Sequence, residues 1–113
     1  MFLSYYTLYI MNTFEPFIVS ILTQAGFHPT EINKDLIDET MDIFVDRVIT
    51  SLTEKLEDDD KVIFLELLEN NEDNLNPGFE FAKMKIKNYE DTLENIMDDF
   101  AKEYIEEFKK ETL

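Results

Sequence analysis

The chain contains no cysteine and no tryptophan, one histidine, one arginine, two glycines and three prolines in 113 residues. Each shortage removes a class of chemistry. Without cysteine there is no disulfide, no thiolate metal site and no cysteine nucleophile. The single histidine, His28, precedes Pro29 in a connection and is expected to serve as an ordinary turn or cap residue. A serine or threonine nucleophile would want a histidine base, and a di-iron bundle would need paired Glu-x-x-His motifs. Gly26 and Gly78 cannot form a glycine-rich phosphate loop. The sequence also shows no two-residue alternation and no Asn-Gly hairpin turn, so no sheet is expected.

Basic residues are scarce too. Ten Lys and Arg stand against 26 Asp and Glu, for a formal net charge of −16 at pH 7. Phosphate backbones and anionic membranes should be repelled, so neither nucleic acid nor a lipid surface is an expected partner. Ten Phe and five Tyr argue against reading this charge as the mark of disorder. The length suits one domain with one modest core, stabilised by helix packing alone.

What is present is helical periodicity. From Asn33 to Leu56, the residues Leu36, Ile37, Met41, Phe44, Val45, Val48, Ile49, Leu52 and Leu56 recur at helical steps. Asp38, Glu39, Asp42, Asp46, Arg47, Thr50 and Glu54 lie between them. This predicts a long amphipathic helix capped by Asn33. Before it, Thr13 is expected to cap a helix of about three turns with Pro16 in its first turn, its stripe being Phe14, Phe17, Ile18, Ile21 and Leu22 and its stop Gly26.

Residues 57–60 form an acidic run, and Val62, Ile63, Phe64, Leu65, Leu67 and Leu68 predict a short, mostly buried helix ending near Asn70. Asn76-Pro77 reads as an N-cap followed by proline at the first helical position. The short helix it opens carries Phe79, Ala82 and Ile86 on one face. Asn88 is expected to cap a last long helix with the stripe Tyr89, Leu93, Ile96, Met97, Phe100, Tyr104, Ile105 and Phe108. The expected fold is all-α: a small bundle of about five helices, two long and three short.

Residues 1–10 form a dense apolar and aromatic run without evident helical period. It lacks the basic amino-terminal region and cleavage site of a secretory signal. Asn12, Glu15 and Pro16 interrupt it well short of the roughly 20 apolar residues of a membrane span. Either Met11 is the natural start and residues 1–10 are an extension that is not native, or the segment is a short strand or helix turn on the bundle, or an exposed surface for self-association. Residues 11–113 are expected to form the single acidic helical domain.

Several local patterns together resemble an uncharacterised family of short acidic all-helical bacterial domains. They are Ala25-Gly26-Phe27, Pro29-Thr30-Glu31, Val45-Asp46-Arg47-Val48, Phe64-Leu65-Glu66-Leu67-Leu68, and Ile86-Lys87-Asn88-Tyr89-Glu90 opening a final acidic helix. The resemblance spans about residues 24–108, with Lys87 where a proline would be expected. It implies the helical fold and a cytoplasmic setting, and no site residue or activity.

No catalytic residue, cofactor or metal site is expected. Counting Glu69 as the first position of a twelve-residue calcium loop places Asn71, Asp73 and Glu80 at ligand positions. However, Asn74 stands where glycine is needed, Asn76 stands where an aliphatic is usual, and Pro77-Gly78 distorts the far half. The acidic rows of the last helix are best read as a solvated face, with Asp91, Glu94, Asp98, Asp99, Glu103 and Glu106 as the candidate interaction residues.

Arg47 has no carboxylate three or four residues away on its own helix. It is expected to pair with a carboxylate on a neighbouring helix or, if exposed, to anchor one from a partner. The function expected is a non-enzymatic protein–protein interaction module whose partner is another protein or a second copy. The alternative is an acidic decoy that occupies a basic protein surface in place of nucleic acid.

Overall fold

In the computed structural model, the backbone is described for residues 5–71 and 75–111 and the side chains for residues 14–71 and 75–108. Among these residues five helices follow one another: α1 Tyr5–Gln24, α2 Lys34–Lys55, α3 Asp58–Asn70, α4 Asn76–Lys85 and α5 Tyr89–Glu111. No strand occurs among the described residues. The chain is a small all-α bundle in which α1, α2 and α5 pack on one another, while α3 and α4 form a hairpin attached chiefly to α2.

The connections obey local chemistry. Gly26 adopts φ +103°, its N–H bonds to the Thr23 carbonyl at 3.1 Å, and the Phe27 N–H bonds to the Leu22 carbonyl at 3.1 Å. This is a Schellman stop, in which a left-handed glycine lets the chain turn back onto the last carbonyls. Asn33 then caps α2 as its position predicts, its Oδ1 accepting from the Leu36 N–H at 2.9 Å. Asn71 Nδ2 donates to the Leu67 carbonyl at 2.8 Å and satisfies the end of α3.

Two caps differ from the sequence expectation. Helix α4 begins at Asn76, so Leu75 holds the cap position and Pro77 comes one place later than expected. Asn88 does precede α5 and its carbonyl accepts from the Thr92 N–H at 3.0 Å, but its φ is +60°. An N-cap normally has extended φ; Asn is suited here because it is among the residues that tolerate the left-handed region between two helices.

The first helix is the largest correction. It starts at Tyr5, so Thr13 is not its cap and Pro16 lies in its interior, where it leaves the Asn12 carbonyl without its usual N–H donor. Three helices of 20, 22 and 23 residues are therefore long, and two are short. Residues 5–10 belong to α1; residues 1–4 of the expected extension lie outside the described residues.

A hidden period explains the difference. Tyr6, Tyr9, Ile10, Phe14, Phe17, Ile18 and Ile21 fall at steps of three, one, four, three, one and three, but Tyr5 just before them and Leu8 between them obscure it. No helix among the described residues is long and apolar enough to cross a membrane.

The core sits where the three long helices meet. Ile18, Ile21 and Leu22 of α1, Met41, Phe44, Val48 and Leu52 of α2, and Ile96 and Phe100 of α5 are buried together. Phe44 is fully buried at their junction, its ring centroid 5.2 Å from Phe14, 5.1 Å from Phe17 and 5.2 Å from Phe100. The row continues through Tyr104 and Phe108 to Phe27 in the α1–α2 connection, with successive centroids 5.8, 4.6 and 5.1 Å apart. Thr40, buried on α2, lies with its hydroxyl 3.4 Å from that of Tyr104.

In the hairpin, Phe64 and Ala82 are fully buried, and a Cβ built on Gly78 would stand 2.6 Å from Leu68 Cδ2. Helices α3 and α4 therefore approach closely at a position where only glycine fits without displacing Leu68.

Candidate interaction surface

The sequence treats the apolar residues of α3 as mostly buried, and the structure corrects this. Of that cluster only Phe64 is fully buried; Val62 is 56% exposed, Ile63 43% and Leu65 46%. The reason is positional. A helix apolar on every side reads as a core helix, but α3 lies at the edge of the bundle and packs chiefly on α4 and α2. Its outward residues therefore have nothing to cover them among the described residues.

At 100° per residue, Val62 and Leu65 share one outward stripe with Asp58 before them and Glu69 after them, at steps of four, three and four. Ile63 lies on the other flank, beside Asp59, Glu66 and Asn70. Two further apolar side chains are exposed, Ile43 on α2 and Met84 on α4. An irregular apolar residue within an otherwise polar face is the only cue the sequence contains.

The predicted acidic face is real as exposure. Asp91, Glu94, Asp98, Asp99, Glu103 and Glu106 are all exposed along α5. Glu103 has a second role, however. Arg47 Nη1 lies 2.7 Å from its Oε2, so the arginine finds its carboxylate on the neighbouring helix. Both side chains remain substantially wet, at 42% and 59% exposure, which limits the strength of the pair. Lys83 of α4 stands 3.5 Å from Glu90 at the start of α5.

His28 is likewise engaged locally. Its N–H donates to Glu31 Oε1 at 2.8 Å, its carbonyl accepts from the Glu31 N–H at 2.8 Å, and its Nδ1 lies 2.8 Å from Thr30 Oγ1. These bonds close the Pro29-Thr30-Glu31 turn that feeds α2. Tyr89 is half-buried at the start of α5; burial first, then the charges of Glu90 and Glu80, raises its phenol above the ordinary value.

Two open hollows are lined by described residues. One open hollow of about 260 Å³ is lined by Ala25, Gly26, Phe27, Glu31 and Phe108, and another of about 500 Å³ runs along Glu15, Pro16, Val19 and Ser20. The first lining holds no hydroxyl or amine side chain, and in the second Ser20 Oγ accepts from Gln24 Nε2 at 3.0 Å. Among the described residues no group of three or more His, Asp or Glu side chains is placed to hold a metal ion. In the calcium-like loop, Asp73 and Asn74 lie outside the described residues.

Comparison with protein-family models, with curated proteins and with solved structures returned no match to this chain.

Proposed function

We propose that the protein is a non-enzymatic interaction module, in a cytoplasmic setting, that receives another protein on the α3–α4 hairpin. The observation that carries this reading is the outward face of α3. Three large aliphatic side chains within four residues stand about half exposed on a helix whose opposite side is anchored by the buried Phe64. Single exposed aliphatics are ordinary on a protein surface, but a cluster on one short element marks a place where apolar area is still to be buried.

The test is capture from native extract with the full chain as bait, beside a Val62→Glu, Leu65→Glu variant, each at low and high salt. A partner identified by mass spectrometry that survives high salt on the parent chain and is lost from the variant supports the reading. Capture that is identical for the two baits would refute it.

A second reading, the acidic decoy, is favoured by a different observation: the exposed carboxylates of α5 from Asp91 to Glu106. Arg47 already holds Glu103, and Lys102 interrupts the rows, which leaves them less phosphate-like than the sequence count suggests. Basic nucleic-acid-binding proteins that wash off with salt from both baits would move the assignment to this reading.

A further inference from the structure

We propose that the stripe Asp58–Val62–Leu65–Glu69 on α3 docks a basic amphipathic helix of another protein, an inference that rests on the interaction-module reading and names the chemistry of the partner. The stripe places two apolar side chains between two carboxylates over about 16 Å of helix. Val62 and Leu65 are each about half exposed, Asp58 is fully exposed and Glu69 is exposed. The complementary surface is an apolar pair at helical spacing with Lys or Arg at either end.

Charge selects against a second copy. Helix α3 carries five carboxylates against the single Lys61, and the whole chain carries −16, so two such faces would repel. The lysines of the hairpin do not offset this from a distance. Lys83 stands by Glu90 and Lys85 lies over the Phe81 ring at 5.8 Å; Lys61 stands 3.7 Å from Asp58, so at that end a partner's cation shares the carboxylate with Lys61, while Asp58 stays fully exposed.

Backbone chemistry selects a helix. No strand edge exists among the described residues to pair with an extended peptide. A segment that buries its apolar side against α3 finds no backbone ladder there, and a helix is the element that satisfies its own N–H and C=O groups while presenting an apolar stripe.

The probe is a fluorescent 18-residue peptide of leucine and lysine, with its leucines at steps of three and four, added to the full chain at physiological salt. Two control peptides accompany it: the same composition scrambled, and the same pattern with glutamate for lysine. The decisive variant is Val62→Glu, Leu65→Glu. Both positions are exposed and glutamate is a good helix former, so the fold should persist, which circular dichroism and thermal melting will verify.

The variant makes opposite predictions for the two kinds of attraction. It adds two negative charges, so a purely electrostatic association with the basic peptide would tighten. Docking on the stripe would instead weaken roughly tenfold or more, as apolar burial is replaced by buried charge. The expected result is that weakening, with the scrambled peptide bound at least about tenfold more weakly than the patterned one.

Tighter binding by the variant, or equal binding of the scrambled peptide, would overturn the proposal. Binding of the patterned glutamate peptide that the variant abolishes would overturn the basic-partner assignment while leaving the hairpin as an interaction face. An extract partner lost from the variant bait, with no binding of either patterned peptide, would overturn the helix assignment alone.

Discussion

Arg47 of α2 and Glu103 of α5, 56 positions apart in the chain, meet at 2.7 Å and join their two helices. The pair is half in water, so its contribution is modest. A double-mutant cycle with Arg47→Ala and Glu103→Ala, followed by denaturant unfolding, should give a coupling energy below about 1 kcal/mol that shrinks as salt is raised. A coupling of several kcal/mol, insensitive to salt, would mean that the pair is far drier than the geometry indicates.

Phe44 is the junction of the core, with three ring neighbours among the described residues, drawn from α1 and α5. Phe44→Ala should destabilise by about 3 to 5 kcal/mol, because the cavity cannot be filled by helices held apart on both sides. That is a large share of the roughly 5 to 15 kcal/mol typical of a domain, so unfolding at moderate temperature is expected. Phe44→Leu keeps most of the volume and should cost about 1 to 2 kcal/mol. Equal losses from Phe44→Ala and from the exposed Ile43→Ala, read by chemical denaturation, would contradict this placement.

Gly78 and Leu68 are coupled by shape. Alanine at position 78 would meet Leu68 Cδ2 at 2.6 Å and Cγ at 3.1 Å. Gly78→Ala should therefore cost about 1 kcal/mol or more despite alanine's better helix propensity. In a Leu68→Ala background the clash is gone, and the same change should become neutral or stabilising. Additive effects in the two backgrounds would show that α3 and α4 do not pack this closely.

Tyr89 gives the protein a pH signature in alkali. Burial and the neighbouring Glu90 and Glu80 hold its phenol above 10.0, the value taken for the unfolded chain. Below pH 10 both states keep the proton and the stabilising contribution is intact. Above it the unfolded chain ionises first, so stability falls until the folded phenol ionises too. Tyr89→Phe removes this dependence. The stability difference between the parent and Tyr89→Phe should move in favour of phenylalanine from pH 8 to pH 11; a constant difference would reject the buried phenol.

Much of this fold is legible in the order of its residues, and the parts that are not share one cause. The Asn33 cap, the Gly26 stop, and the stripes of α2 and α5 depend on residues within a turn or two of one another. The start of α1 is hidden because extra aromatics fill the gaps in its period, and Pro16 looks like a beginning when it is an interior residue. Arg47 visibly lacks a partner on its own helix, yet which carboxylate it chooses among 26 acids is not readable from spacing.

The candidate surface shows the division most clearly. Periodicity and composition determined that α3 is a helix and that Val62, Ile63, Phe64, Leu65, Leu67 and Leu68 are its apolar residues. Which of them would be covered depended on how many neighbours the topology brings to α3, and the bundle brings chiefly α2 and α4. Helix formation is set by contacts a few residues apart, which a sequence contains. Burial is set by contacts between distant segments, and only the tertiary structure decided that Phe64 faces inward while Val62 and Leu65 face out.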